Sequence, residues 1–175
     1  VLEGDDGPLG DPQPIPEDLR DSFIRAYWRA QTWRTTTWLG QPVDNAATDL
    51  VAYQEVVCDV RPDVVVEVGA KTTGRTALLA SVLDGLGHGQ VVTVSSLPVA
   101  DRYEHPRVTY VEPADTPSTT AERVRAITGE HPNGLVVLED VGPVSLRMVA
   151  SPRSARLRWD LIAPLVQAMK THRKR

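Results

Sequence analysis

The run VVVEVGAKTTGRTALLAS, Val64 to Ser81, decides the reading of this chain. Its first five residues include four valines and lie between the turn signal Arg61-Pro62-Asp63 and Gly69, the pattern of a buried parallel strand. Alanine and leucine then return at helical spacing, so a helix is expected from about Thr76 to Leu86, stopped by Gly87. A strand, a glycine-bearing turn and an immediate helix form the junction at which α/β domains often hold a nucleotide. This turn, however, carries Lys71, Thr72 and Thr73 where a nucleotide-binding turn favours glycine.

The same alternation continues on either side. Val91 to Val94, Val108 to Val111 and Leu135 to Leu138 read as further strands, the second of them entered through His105-Pro106. Between them, Thr119 and Glu122 have capping-box spacing for a helix reaching Ile127. A last helix is expected over Leu157 to Met169, interrupted at Pro164. Upstream, Thr48 is the expected N-cap of a helix through Val60, with Leu50, Tyr53, Val57 and Val60 on one side. Leu19, Phe23, Tyr27 and Ala30 give an earlier helix one apolar stripe. Trp33 and Trp38, in the irregular stretch between, are read as anchors that fix a loop to the core. Residues 1–16, rich in Gly, Asp and Pro, read as a flexible leader, and 17–175 as a single domain. Strands alternating with helices predict an α/β fold: a Rossmann-like parallel sheet with helices on both faces.

Bulk composition narrows the function. The chain has 175 residues, 41% hydrophobic and 24% charged, enough for one domain with a real core. A formal net charge of -4 argues against general nucleic-acid binding, which needs a basic face. A single cysteine, Cys58, allows no intrachain disulfide and fits a reducing cytoplasm. Cys58 falls on an expected helix, as a small buried side chain rather than a nucleophile. No apolar run spans a bilayer and the first residues lack a signal-peptide pattern, so no membrane role is expected. Lysine occurs only at Lys71, Lys170 and Lys174, a bias that suggests a GC-rich bacterial source. The four histidines, His88, His105, His131 and His172, read as exposed loop or tail residues, and no catalytic residue can be named.

Several segments in consistent order resemble one family. They are TTTWLGQP, DLVAYQE, RPDVVVEVG, LLASVLDGLGHGQVVTV, HPRVTYVE, AERVR and IAPLV, between Trp33 and Val166. Together they resemble the cephalosporin hydroxylase and rhamnosyl O-methyltransferase group, which has the class I S-adenosylmethionine methyltransferase fold. The resemblance implies cofactor contacts at Glu67, Gly69, Lys71, Thr73, Gly74 and Ser95. In this pattern glycines let the backbone approach the methyl donor, and an acidic residue after the second strand accepts from both ribose hydroxyls. Here Thr73 stands in place of the first of two glycines, and Ser95 in place of the ribose acid. Losing that charge-assisted contact costs about 1.5–3 kcal/mol. Lys71 and Arg75 add cations beside a positively charged sulfonium, with the cofactor's carboxylate as their one natural partner. Asp101 is the acidic residue nearest to replace the ribose contact.

The family's divalent-metal ligands follow the strand at Leu135–Leu138, where Glu139 and Asp140 stand without the nearby histidine. Two carboxylates and water would hold Mg²⁺ only weakly. The family pattern also continues into further strands beyond IAPLV, whereas this sequence ends at Arg175. That leaves Leu135–Leu138 with an open edge and predicts a homo-oligomer, or a partner protein, docked there.

Three functions follow from the resemblance. The chain is a degenerate methyltransferase-fold protein of bacterial sugar or natural-product tailoring, with S-adenosylmethionine binding weak or lost, repurposed for another reaction. Or it is a pseudoenzyme that serves as a partner subunit. Or it is a working, Mg-assisted O-methyltransferase on a small molecule.

Overall fold

The computed structural model describes residues 13–129, 133–138 and the backbone of 147–150. The expected leader lies mostly outside these residues, and so does the helix expected at Leu157–Met169.

Strand β3 (Val64–Val68) is the centre of a five-stranded sheet in the order β5-β4-β3-β6-β7. On one side β4 (Gln90–Val94) and then β5 (Val108–Val111) pair in parallel, and on the other β6 (Gly134–Leu138) pairs in parallel with β3. All five residues of β3 and of β6 are buried, which is why both read as apolar runs, broken only by Glu67, rather than as alternating ones.

Helices α2 (Ala47–Val60) and α3 (Gly74–Leu86) cover one face, and α4 (Pro117–Thr128) covers the other. The two-residue period of the strands separates the two cores. Val64, Val66 and Val68 pack with Ala121 and Val124 of α4, while Val65, Leu135 and Val137 pack with Tyr53, Val57, Leu79 and Leu83. The expected α/β sheet with helices on both faces is therefore the observed one.

β7 (Arg147–Ala150) corrects one expectation. It runs antiparallel to β6, with Leu135 opposite Ala150 and Leu138 opposite Arg147. The edge of 135–138 is consequently filled by the chain itself, and the backbone groups thought to need a partner there are paired. A short antiparallel return satisfies them as well as a crossover strand would.

Two caps also differ from expectation. α2 begins after Ala46, with no side-chain cap, so Thr48 lies inside the helix. α4 begins after Thr116, whose hydroxyl accepts from the Thr119 N–H at 3.2 Å, with Pro117 preset for the first turn. Thr116, not Thr119, is the cap.

Ahead of α2, α1 (Glu17–Ala30) leads through a 3-10 turn (Thr32–Thr35) into a two-stranded hairpin, β1 (Thr37–Trp38) and β2 (Gln41–Pro42). Trp38 anchors that hairpin as expected: its indole N–H donates to Ser81 of α3 at 3.0 Å, and its ring packs on the α2–α3 core.

Candidate functional site

Parallel sheets of this kind hold ligands outside the carboxyl ends of their strands, where the strand order reverses. Here the chain goes from β3 to β4 and β5 on one side and then to β6 on the other, so the reversal lies beside β3. The turn 69–73, between β3 and α3, is its wall.

Gly69 opens the turn with φ of 89°, a left-handed conformation that only glycine adopts without strain, and its N–H donates to Val94 O at 2.9 Å. Lys71 is exposed, whereas Thr73 and Gly74 are buried. The Thr73 hydroxyl donates to Gln41 Oε1 at 2.7 Å, tying the turn to the hairpin. Gly74, the first residue of α3, serves the same docking. A Cβ there would lie 2.4 Å from Pro42 O and 2.6 Å from Gln41 O. The close approach that this glycine permits is taken up by the chain's own backbone.

Ser95, at the end of β4, is 2% exposed. Its hydroxyl donates to Ala70 O at 2.7 Å and accepts from the Leu97 N–H at 3.1 Å. The side chain read as a stand-in for a ribose acid instead joins the turn after β3 to the loop after β4. Asp101 is exposed and ends a 3-10 turn (Val99–Asp101) on that loop.

Glu67 is fully buried on the face covered by α2 and α3. One carboxylate oxygen accepts from Arg75 Nε at 2.8 Å, and the other from the hydroxyls of Thr76 at 2.6 Å and Thr93 at 3.0 Å. The Arg75 guanidinium also lies over the Tyr53 ring, 5.7 Å from its centroid. Burial pushes the Tyr53 phenol above its usual range, opposed by the adjacent Arg75 charge. Tyr110, next along the row from Thr93, is likewise pushed up by burial, opposed by the Tyr103 N–H that donates to its oxygen at 3.1 Å.

The resemblance places Glu67 at a cofactor and Arg75 near a sulfonium. The structure turns both inward, onto each other. Sequence reasoning missed this network, although one signal was present. Glu67 shares the parity of Val65 and so points toward the helices, where Arg75 and Thr76 of the first α3 turn are the polar residues within reach.

The expected metal ligands, Glu139 and Asp140, lie outside the described residues. Among the described residues no group of three or more His, Cys, Asp and Glu side chains is placed to hold a metal ion. Nor does any described helix have the length and apolarity to cross a membrane. Cys58 is half-buried on α2 and accepts from Gln54 Nε2 at 3.1 Å.

His105 is not the exposed loop residue it was expected to be. Its side chain is 16% exposed and pairs with Asp84 at 2.9 Å, and Arg107 shares the same carboxylate. His88 contacts the carbonyls of Leu86 and Arg61, and His131 and His172 lie outside the described residues.

Residues 30–142, more than half of the chain, match the family described as Rhamnosyl O-methyltransferase/CmcI. The chain belongs to that family. A rhamnosyl O-methyltransferase of Mycobacterium leprae (strain TN) is 24% identical over 129 residues, covering 71% of this chain and 56% of that protein. One of Mycobacterium tuberculosis (strain ATCC 25618 / H37Rv) is 26% identical over 132 residues, covering 71% and 53%. The chain thus spans about half the length of these curated relatives. Among solved structures, CmcI with SAH is 15% identical with a TM-score of 0.41, covering 79% of this chain and 83% of that one. CmcI with Mg-SAM has the same identity and TM-score, covering 94% and 78%.

The side chain at the end of β4 is neutral and faces inward, the acid of β3 is enclosed, and the space above Gly74 is filled. Gly69 has a positive φ of 89°.

Proposed function

We propose that this chain is a methyltransferase-fold protein of bacterial sugar or natural-product tailoring in which S-adenosylmethionine binding is weak or lost. It works as a repurposed tailoring protein or as the partner subunit of an enzyme, in the manner of a pseudoenzyme. Support comes from family membership on one side and from the inward-facing hydroxyl of Ser95 on the other. That hydroxyl is the observation that carries the reading. A group already donating to Ala70 O and accepting from the Leu97 N–H has little left to offer a ribose.

The second reading, a Mg-assisted O-methyltransferase acting on a small molecule, is favoured by the positive φ kept at Gly69 and by the rhamnosyl O-methyltransferase relatives. In that reading Glu139 and Asp140 would hold the metal, and a cytoplasmic location would supply the methyl donor.

Titration calorimetry with S-adenosylmethionine, in the presence and absence of Mg²⁺, separates the two. The first reading expects no heat of binding tighter than roughly 100 µM. A dissociation constant near ~1 µM, about -8.2 kcal/mol, would restore the second. Ser95→Asp is expected to lower the melting temperature rather than create a ribose site, because it removes the bond to Ala70 and sets a carboxylate against that carbonyl.

A further inference from the structure

Helix α1 is 14 residues long and buries none of them, and its main neighbour is the 3-10 turn that follows it. A helix of that length is marginal in water unless an apolar face is packed. Its face is apolar in a definite pattern. Leu19, Phe23, Ala26 and Ala30 follow one another at spacings of four, three and four residues, the seam of a coiled coil. Leu19 and Phe23 are 59% and 65% exposed, even though Phe23 stacks on Tyr27. The opposite side, through Trp28, leans on Trp33 of the 3-10 turn, with ring centroids 5.4 Å apart. Ile24 and Trp28 on that side are 44% and 41% exposed, so the Leu19–Phe23 seam is the more exposed of the two.

The charges of the helix say what fits it. Its first half carries Glu17, Asp18 and Asp21 with one base, Arg20, which Asp21 pairs at 3.3 Å. Its second half carries Arg25 and Arg29 and no acid. From this we infer that the seam of α1 docks antiparallel on the same seam of a second copy of the chain.

Antiparallel pairing sets the acidic half of each helix beside the basic half of the other, and opposes their dipoles favourably. Parallel pairing would set like charges together. The seam complements itself as well. With the two-fold axis between Phe23 and Ala26, Phe23 of one copy lies across from Ala26 of the other, and Leu19 from Ala30, large against small in each layer. Asp18, Ser22, Arg25 and Arg29 fall on one flank of the helix, and in an antiparallel pair the same flank of each copy meets. Asp18 of one copy then lies within a turn of Arg29 of the other, twice over by symmetry.

Sedimentation velocity of the full chain across ~1–100 µM tests this. The expected result is a monomer–dimer equilibrium in the wild type and a monomer throughout for Phe23→Glu, which would put two carboxylates on the axis. Asp18→Arg and Arg29→Asp, each alone, are expected to weaken the dimer about tenfold, as two attractions become two repulsions. The double variant Asp18→Arg/Arg29→Asp restores it. Should Phe23→Glu not fold, the charge series decides alone, because those positions lie on an exposed flank. A wild type that is monomeric at ~100 µM overturns the inference. So does a dimer indifferent to Phe23→Glu, or one that the double reversal fails to rescue.

Discussion

At the first turn of α3, Arg75 meets Glu67 at 2.8 Å with side chains 3% and 0% exposed. Near the last turn of the same helix, Asp84 meets Arg107 and His105 with half of its own side chain in water. Both charges on the helix oppose its dipole: a cation stands near the positive end and an anion near the negative end. Each is therefore held by a partner from elsewhere in the chain. The pairs differ in what surrounds them. Glu67 and Arg75 have no solvent to turn to, so they are tied into a network with Thr76, Thr93 and Tyr53. Asp84 keeps water as an alternative, and its partners add direction rather than necessity. At the end of the sheet where family chemistry is expected, the polar groups of Glu67 and Arg75 are thus enclosed by their own contacts.

Breaking the buried pair is the largest perturbation available. Arg75→Met leaves the Glu67 carboxylate uncompensated and is expected to cost about 3–5 kcal/mol in urea denaturation. Glu67→Gln/Arg75→Met together should recover much of that loss, because no charge is then left alone. A double variant as unstable as the single one would mean that packing, not charge, is what Arg75 supplies. Gly74→Ala comes next. Its methyl group would push against Pro42 O and Gln41 O, and a loss of about 1–3 kcal/mol is expected, with the Trp38 fluorescence shifting as the hairpin lifts. No change in either would show that the hairpin yields freely.

Asp84→Asn should have the smallest effect, and one that depends on pH. The hydrogen bond from Arg107 leads the causes that hold the Asp84 carboxyl below the usual aspartate range, against some desolvation. A group whose pKa is lower folded than unfolded stabilises above its unfolded pKa and stops doing so as pH falls through the lowered value. The melting difference between wild type and Asp84→Asn should therefore hold while the carboxylate is ionised in both states, above the usual aspartate range, and fade as pH falls through the lowered value until both states are protonated. A difference that persists there would assign the effect to Arg107 packing on Gly89 O rather than to charge.

Much of this fold is legible in the sequence because strand parity and burial agree. LVVL is apolar throughout and VVVEV apolar but for Glu67, since both their faces are covered, and Gly87 stops α3 by adopting φ of 76°. The strand edge was misread for a local reason. Arg147–Ala150 follows a stretch rich in turn residues and has no periodicity long enough to mark a strand. The cap of α4 was misplaced because Thr116, Ser118 and Thr119 all have capping chemistry, and Pro117 decides among them. At the site, residue identity told which groups are present but not which way they face. Ser95 reads as a missing acid, and only its distances to Ala70 and Leu97 show it as a tie between two loops. Arg75 reads as a cation at a cofactor, and only the enclosure of Glu67 shows it as a structural partner.

The central proposal is that the turn after β3 is closed by the chain's own hydrogen bonds rather than kept open for a methyl donor. Thermal melting of the wild type in 1 mM S-adenosylmethionine tests it most directly, since a ligand that binds only the folded state must stabilise it. The account predicts a rise of no more than about 3–6 °C, the limit set by a site no tighter than roughly 100 µM, with or without Mg²⁺. A site of ~1 µM affinity would be a thousandfold saturated and add about 4.1 kcal/mol. A rise of roughly 8 °C or more, as that stabilisation implies for a chain of this size, would contradict the claim.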